Sequence, residues 1–332
     1  MITPFRTTQF LPATLKNLFY PPEQVEYTYF ARAGKCPFVG GSAVVKAAWA
    51  ADASMLSYAR YGAARMTDDT LKGNFARGGL EAQTIGPDLK NWNAPGTQAV
   101  FAACPEFAIL AFRGTEADDH KDSAYDGDIV LVREPDSHPH AQTPILGPIS
   151  SLFSVPVLVH QGFQTALAEV WNDVRTAVQM YRNRFPNSEI VFTGHSLGGA
   201  LAVLAYSRIG DQNSSLYTFG CPRVGDQAFR DRVLANPGKG IYRVVNFNDA
   251  VTHIPLANLL YEQTPTQSYR FDDKGNLNAG DDTFLGDVGA LETAVTQLPA
   301  NVLTLDLSKI AAPLSVVDHS PARYCMRLWD CV

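Results

Sequence analysis

Val191-Phe192-Thr193-Gly194-His195-Ser196-Leu197-Gly198-Gly199-Ala200 runs an apolar strand straight into G-x-S-x-G and then into a small-residue helix. Few patterns restrict a backbone so tightly. A side chain carried on a sharp strand-to-helix turn forces its residue into a strained conformation, and the residues two before and two after must be tiny. Gly194 and Gly198 meet that demand, which makes Ser196 a candidate nucleophile. The worth of the pattern depends on whether the rest of the chain supplies a sheet beneath it.

From Glu106 onward the sequence alternates short apolar runs with amphipathic ones. Phe107 to Phe112, Val155 to Val159, Glu189 to Thr193, Leu216 to Phe219 and Ile241 to Phe247 read as strands. Between them, Phe163 to Arg184, Leu197 to Arg208 and Gln227 to Leu234 read as helices; the first keeps Phe163, Leu167, Val170, Val174, Val178 and Tyr181 on one face. Upstream, Gly41 to Tyr61 reads as a helix through Val45, Trp49, Ala53, Leu56 and Ala59, while residues 1–40 are patternless and expected to wrap the core irregularly. Near-continuous apolar strands separated by helices predict a mostly parallel sheet with helices on both faces. With no repeat or long linker, the 332 residues read as one domain.

Ligands of such sheets bind outside the carboxyl ends of the strands. Thr115, His160, Ser196, Cys221 and Asn248-Asp249 all follow such ends. A serine hydroxyl needs a base, and the base needs a third group to hold its tautomer. Asp249, directly after the Ile241 strand, is the first choice of acid, against a bland reading as a turn residue. Asp226 is expected to cap the next helix instead. Downstream of Asp249 the histidines are His253, on the acid's own loop, and His319, in a loop near the end of the chain; the order serine, acid, histidine favours His319. Asp318 beside it is expected to form only a local turn. The backbone N–H of Leu197 and the strand end at Thr115 are the candidate oxyanion donors.

Composition narrows the partners. A balance of 27 basic against 33 acidic residues, net −6, argues against nucleic acid or an anionic membrane surface. No apolar run reaches the roughly 18 residues of a membrane span. The first residues lack the charged head and apolar stretch of a signal peptide, so the reading is a soluble protein, cytoplasmic rather than secreted unless a leader was trimmed. Cys36, Cys104, Cys221, Cys325 and Cys331 are odd in number and lack C-x-x-C spacing, which disfavours zinc or a disulfide scaffold. Cys325 and Cys331 are close enough for a single bridge.

Taken in order, Phe112-Arg113-Gly114-Thr115, His160-Gln161-Gly162-Phe163, Gly194 to Ala200, Phe219 to Gly225, Asn248-Asp249 and Asp318-His319-Ser320 resemble the class 3, fungal-type lipase family, from about Gly41 to Leu328. The resemblance implies an α/β-hydrolase fold and a Ser196, Asp249, His319 triad, with Thr115 and Leu197 as oxyanion donors. It implies no cofactor and a small-molecule or lipid ester as substrate. His160 and Gly162 match a family motif outside the triad and are expected to be structural, His160 through a local hydrogen bond. One segment departs from the family. Where fungal lipases carry an amphipathic lid, Glu116 to Asp128 holds six acids in thirteen residues and only Tyr125 as a large apolar group. That segment cannot present an apolar face to oil, so a water-soluble or short-chain ester is expected, unless a lid lies within Leu285 to Leu307.

The same acids are not an EF-hand: Ala124 fills a ligand position and Arg133 the twelfth. Asp272 to Asn276 reads as a hairpin turn between Tyr269-Arg270-Phe271 and Leu277. The expected activity is therefore a serine carboxylester hydrolase working through an acyl-enzyme. Phospholipase A1, thioesterase or acyl transfer could use the same elbow. A non-catalytic binding protein on the same scaffold is the rival from another class.

Overall fold

The computed structural model describes residues 29–30, 38, 40–61, 64–86, 96–114, 130–135, 156–255, 260–265, 267–281 and 317–332. Its centre is an eight-stranded sheet. The strands are β1 (Glu81–Ile85), β2 (Ala99–Ala103), β3 (Phe107–Phe112), β4 (Glu189–His195), β5 (Ser214–Phe219), β6 (Gly240–Asn246), β7 (Gln267–Phe271) and β8 (Leu277–Asp281). They lie side by side in chain order. Strands β3 to β7 run parallel, whereas β1, β2 and β8 pair antiparallel at the two edges.

Two-residue alternation on the buried strands divides the core. Phe107, Ile109 and Ala111 of β3 face one hydrophobic cluster, while Ala108, Leu110 and Phe112 face the other. The first cluster contains Trp49 of α1 (Ala43–Leu56) and Leu328 of α6 (Pro321–Asp330). The second is covered by α3 (Gln161–Arg184), α4 (Leu197–Ile209) and α5 (Gln227–Leu234). Beside the sheet, α2 (Asp68–Arg77) adds Leu71 and Phe75 to the first cluster. Among the described residues no helix is long and apolar enough to cross a membrane.

One buried carboxylate ties the first face together. Asp52 of α1 is fully buried and accepts from the Phe30 N–H at 2.7 Å and from the Trp329 indole N–H at 3.0 Å. Both oxygens thus have a donor, which a buried acid requires. The last helix is clamped in this way to the first.

Several expectations need correction. The first helix ends at Leu56 and not Tyr61. The apolar run from Val155 contributes only Leu158–His160 among the described residues, outside the main sheet, as an antiparallel ribbon with Leu131–Arg133. That ribbon docks through Asp226, whose N–H donates to Leu158 O at 3.0 Å while its carboxylate accepts from Leu158 N. Val159 is buried in the second hydrophobic cluster, which also holds Val224 and Phe229, so the run finds an apolar environment without joining the sheet. The antiparallel strands β1 and β2 were not anticipated. The Asp272 turn does join β7 to β8. Residues 1–28, Cys36, Thr115, the acidic run 116–128 and the segment 285–307 lie outside the described residues. Cys104, Cys221 and Cys331 are free thiols, so no bridge joins Cys331 to Cys325.

Candidate active site

Ser196 adopts φ +58° and ψ −130° between β4 and α4, a conformation that L-residues rarely hold. The neighbouring glycines explain how it is imposed. A Cβ on Gly194 would lie 2.2 Å from the Gly198 carbonyl, and one on Gly198 would lie 2.2 Å from the Phe112 carbonyl at the end of β3. Strand and helix therefore meet backbone to backbone. The Ser196 N–H donates to Phe219 O, the last residue of β5, at 3.0 Å. Leu197 begins α4, with its N–H in the first turn.

Asp249 follows β6 and is fully buried. Its Oδ1 accepts from Val251 N at 3.0 Å, capping a short 3-10 turn over Ala250–His253. Asp249 therefore serves as a turn former, and that role leaves its carboxylate facing His319. His319 Nδ1 lies 3.0 Å from Asp249 Oδ1 and 2.9 Å from Oδ2. A carboxylate only accepts, so Nδ1 carries a proton and Nε2 is the ring nitrogen turned away from Asp249. A Cβ on Gly220 would lie 2.9 Å from the His319 ring and 2.7 Å from Asp249 Oδ2. The missing side chain at Gly220, with φ +57°, is the space in which acid and imidazole meet at the end of β5. Ser196 contacts the residue before it, so all three are gathered on one strand end.

Tyr324 on α6 was not singled out in the sequence. Its hydroxyl donates to Asp249 Oδ2 at 2.6 Å and accepts from Asn246 N at 2.9 Å. Burial first, and the Asp249 carboxylate second, hold this phenol well above its ordinary range, so it stays a donor. In the sequence it reads as one more core aromatic of an amphipathic helix, and only its place five residues after His319 hints otherwise.

The loop carrying His319 is held by its backbone. Asn246 Nδ2 donates to Asp318 O at 2.7 Å, and His195 Nε2 lies 2.6 Å from His319 O. Asp318 is more than a local turn former: its carboxylate accepts from Asn248 N at 3.4 Å and faces Arg323 at 3.6 Å. Burial raises its pKa, against Arg323 and Arg327. Asp226 and His160 behave as expected. Asp226 caps α5, accepting from Phe229 N at 2.8 Å. His160 caps α3, its Nδ1 accepting from Gly162 N at 3.1 Å, with the ring stacked on Phe163. Burial lowers the His160 pKa. The carbonyl of His253 accepts from Arg223, and it is His319 whose ring meets Asp249. Thr115 lies one residue beyond Gly114, the last described residue of its strand end. No group of three or more His, Cys, Asp or Glu side chains suited to a metal occurs among the described residues.

The family model described as Lipase (class 3) matches residues 109–259. A lipase from Rhizomucor miehei is 35% identical over 169 residues, covering 48% of this chain and 42% of that protein. Secreted mono- and diacylglycerol lipase 1 from Fusarium solani is 39% identical over 108 residues, 32% of each chain. The chain thus spans less than half the length of either relative. A solved structure of the Rhizomucor miehei triacylglyceride lipase aligns with a TM-score of 0.55 at 23% identity, over 83% of this chain and 92% of that one. That likeness establishes the fold, that of the α/β-hydrolases.

Proposed function

We propose that this chain is a serine carboxylester hydrolase of the class 3 lipase type, with Ser196, Asp249 and His319 as its triad, a reading supported by the family-model match over residues 109–259. The observation that carries the reading is the His319 ring hydrogen-bonded through Nδ1 to both oxygens of a buried Asp249, beside a serine on a strained elbow. Ser196 Oγ attacks the ester carbonyl while His319 Nε2 takes its proton. Asp249 stabilises the imidazolium so formed, and Tyr324 donates to the same carboxylate. The N–H of Leu197 and the Thr115 strand end receive the negative charge of the tetrahedral intermediate. Its collapse expels the alcohol, which takes the proton back from His319. Water, activated by the same nitrogen, then frees the acid from Ser196. We read residues 1–332 as one catalytic domain.

Six acids in Glu116 to Asp128 favour soluble or short-chain esters over an oil surface. The Fusarium solani relative is a secreted lipase, which argues for export, against the cytoplasmic location favoured above.

Hydrolysis of p-nitrophenyl esters from acetate to palmitate tests the reading. Ser196→Ala should lower kcat by at least about 10⁴-fold while the fold persists. Undiminished turnover in that variant refutes the mechanism, and a sharp rise in rate above the solubility limit refutes the short-chain preference.

A further inference from the structure

The elbow contains a second buried polar group that the mechanism above does not use. His195 is 1% exposed, and both of its ring nitrogens are engaged. We infer that His195 is a positioning residue for the base, its Nε2–H holding the main-chain carbonyl of His319. The inference rests on the triad reading of Ser196, Asp249 and His319.

The proton assignment follows from the partners. A carbonyl can only accept, so the 2.6 Å contact to His319 O requires a hydrogen on His195 Nε2. The neutral ring then has its lone pair on Nδ1, and Tyr58 OH, 2.8 Å away, is the donor to it. Room for that hydroxyl is made by a glycine: a Cβ on Gly114 would lie 2.2 Å from Tyr58 Oη and 2.6 Å from His195 O. Gly114 therefore has a use besides leading to Thr115. Burial first, then the nearby His319, push the His195 pKa well below its ordinary value, which keeps the ring neutral and leaves Tyr58 as the donor to Nδ1.

The mechanical consequence concerns spacing. Ser196 and His319 are 123 positions apart, yet the residue adjoining the serine grips the backbone of the base, and the two imidazoles are 4.5 Å apart between centroids. The neighbouring carbonyl of Asp318 is gripped in the same way by Asn246. With two successive carbonyls fixed, the His319 ring is pre-set against Asp249, and the elbow and the base loop keep register as one body. Positioning of this kind acts on the chemical step, since a shift of about 1 Å can cost about 10²-fold in rate.

The test compares His195→Leu with His195→Gln, whose amide keeps a donor, on p-nitrophenyl butyrate, with Ser196→Ala as control. His195→Leu should lower kcat about 10- to 100-fold with little change in KM, and His195→Gln should recover about ten-fold of that loss. An unchanged kcat in folded His195→Leu, or equal losses in both variants, overturns the inference. Should His195→Leu not fold, long-range ¹H–¹⁵N NMR of the unaltered protein decides. A protonated Nε2 and an unprotonated Nδ1 on His195 between about pH 5.5 and 8 support the assignment, and the reverse tautomer or a titration in that range overturns it. Persistent turnover by Ser196→Ala would instead overturn the triad reading itself, whatever His195 does.

Discussion

The elbow around Ser196 and the loop around His319 meet at one strand end but are built by different means. The elbow is shaped by its own sequence: Gly194 and Gly198 bring strand and helix into backbone contact, and Ser196 is strained as a result. The base loop has no such local device. Its position depends on Asn246, Asn248, His195 and Tyr324, contributed by two strand ends and a helix. Steric constraint between near neighbours survives as a motif, whereas placement by distant donors leaves hardly a trace in the chain.

The largest effect should come from breaking the local device. Gly198→Ala drives a methyl group into the Phe112 carbonyl, with no flexible atom to yield, and should cost about 3 kcal/mol of stability along with activity. An unchanged urea midpoint would show that the elbow has slack and that the contrast is overstated. A smaller effect is expected from the long-range side. Tyr324→Phe removes one donor from Asp249, leaving a more basic carboxylate that favours the His319 imidazolium. In the proposed mechanism the base is neutral His319, so the acid limb of kcat/KM should move to higher pH. A limb that stays in place would make Tyr324 a packing residue only.

The smallest effect concerns proton linkage. His195 is held neutral in the folded state, while the unfolded chain takes up a proton near the ordinary value of about 6.5. Its contribution is therefore fully present above that pH and is lost as the pH falls, by up to about 1.4 kcal/mol per pH unit. Denaturant titrations at descending pH should show this slope, and it should flatten in His195→Gln. Equal slopes in the two proteins would mean that other groups carry the dependence.

The parallel centre of the sheet was legible because strands such as Phe107–Phe112 are buried on both faces and therefore apolar throughout. The edge was harder. Glu81–Ile85 is partly exposed and weakly patterned, and Leu158–His160 has the composition of a sheet strand but pairs elsewhere. Of the candidate site, Ser196, Asp249 and His319 stand out in the sequence, while Tyr324, Tyr58 and Asn246 do not. Their residue types are ordinary in a core, and nothing at their own positions marks what they hold.

By itself the sequence determined the elbow, the alternation of strands and helices, and the order of serine, acid and histidine, because glycine sterics and apolar periodicity act over a few residues. Only the tertiary structure decided which proton sits on which imidazole, which hydroxyl supports Asp249 and how the final loop is fixed above the sheet. Those are hydrogen bonds between residues 70 to 137 positions apart, and their geometry exists only once the first helix, the elbow and the last helix are packed together.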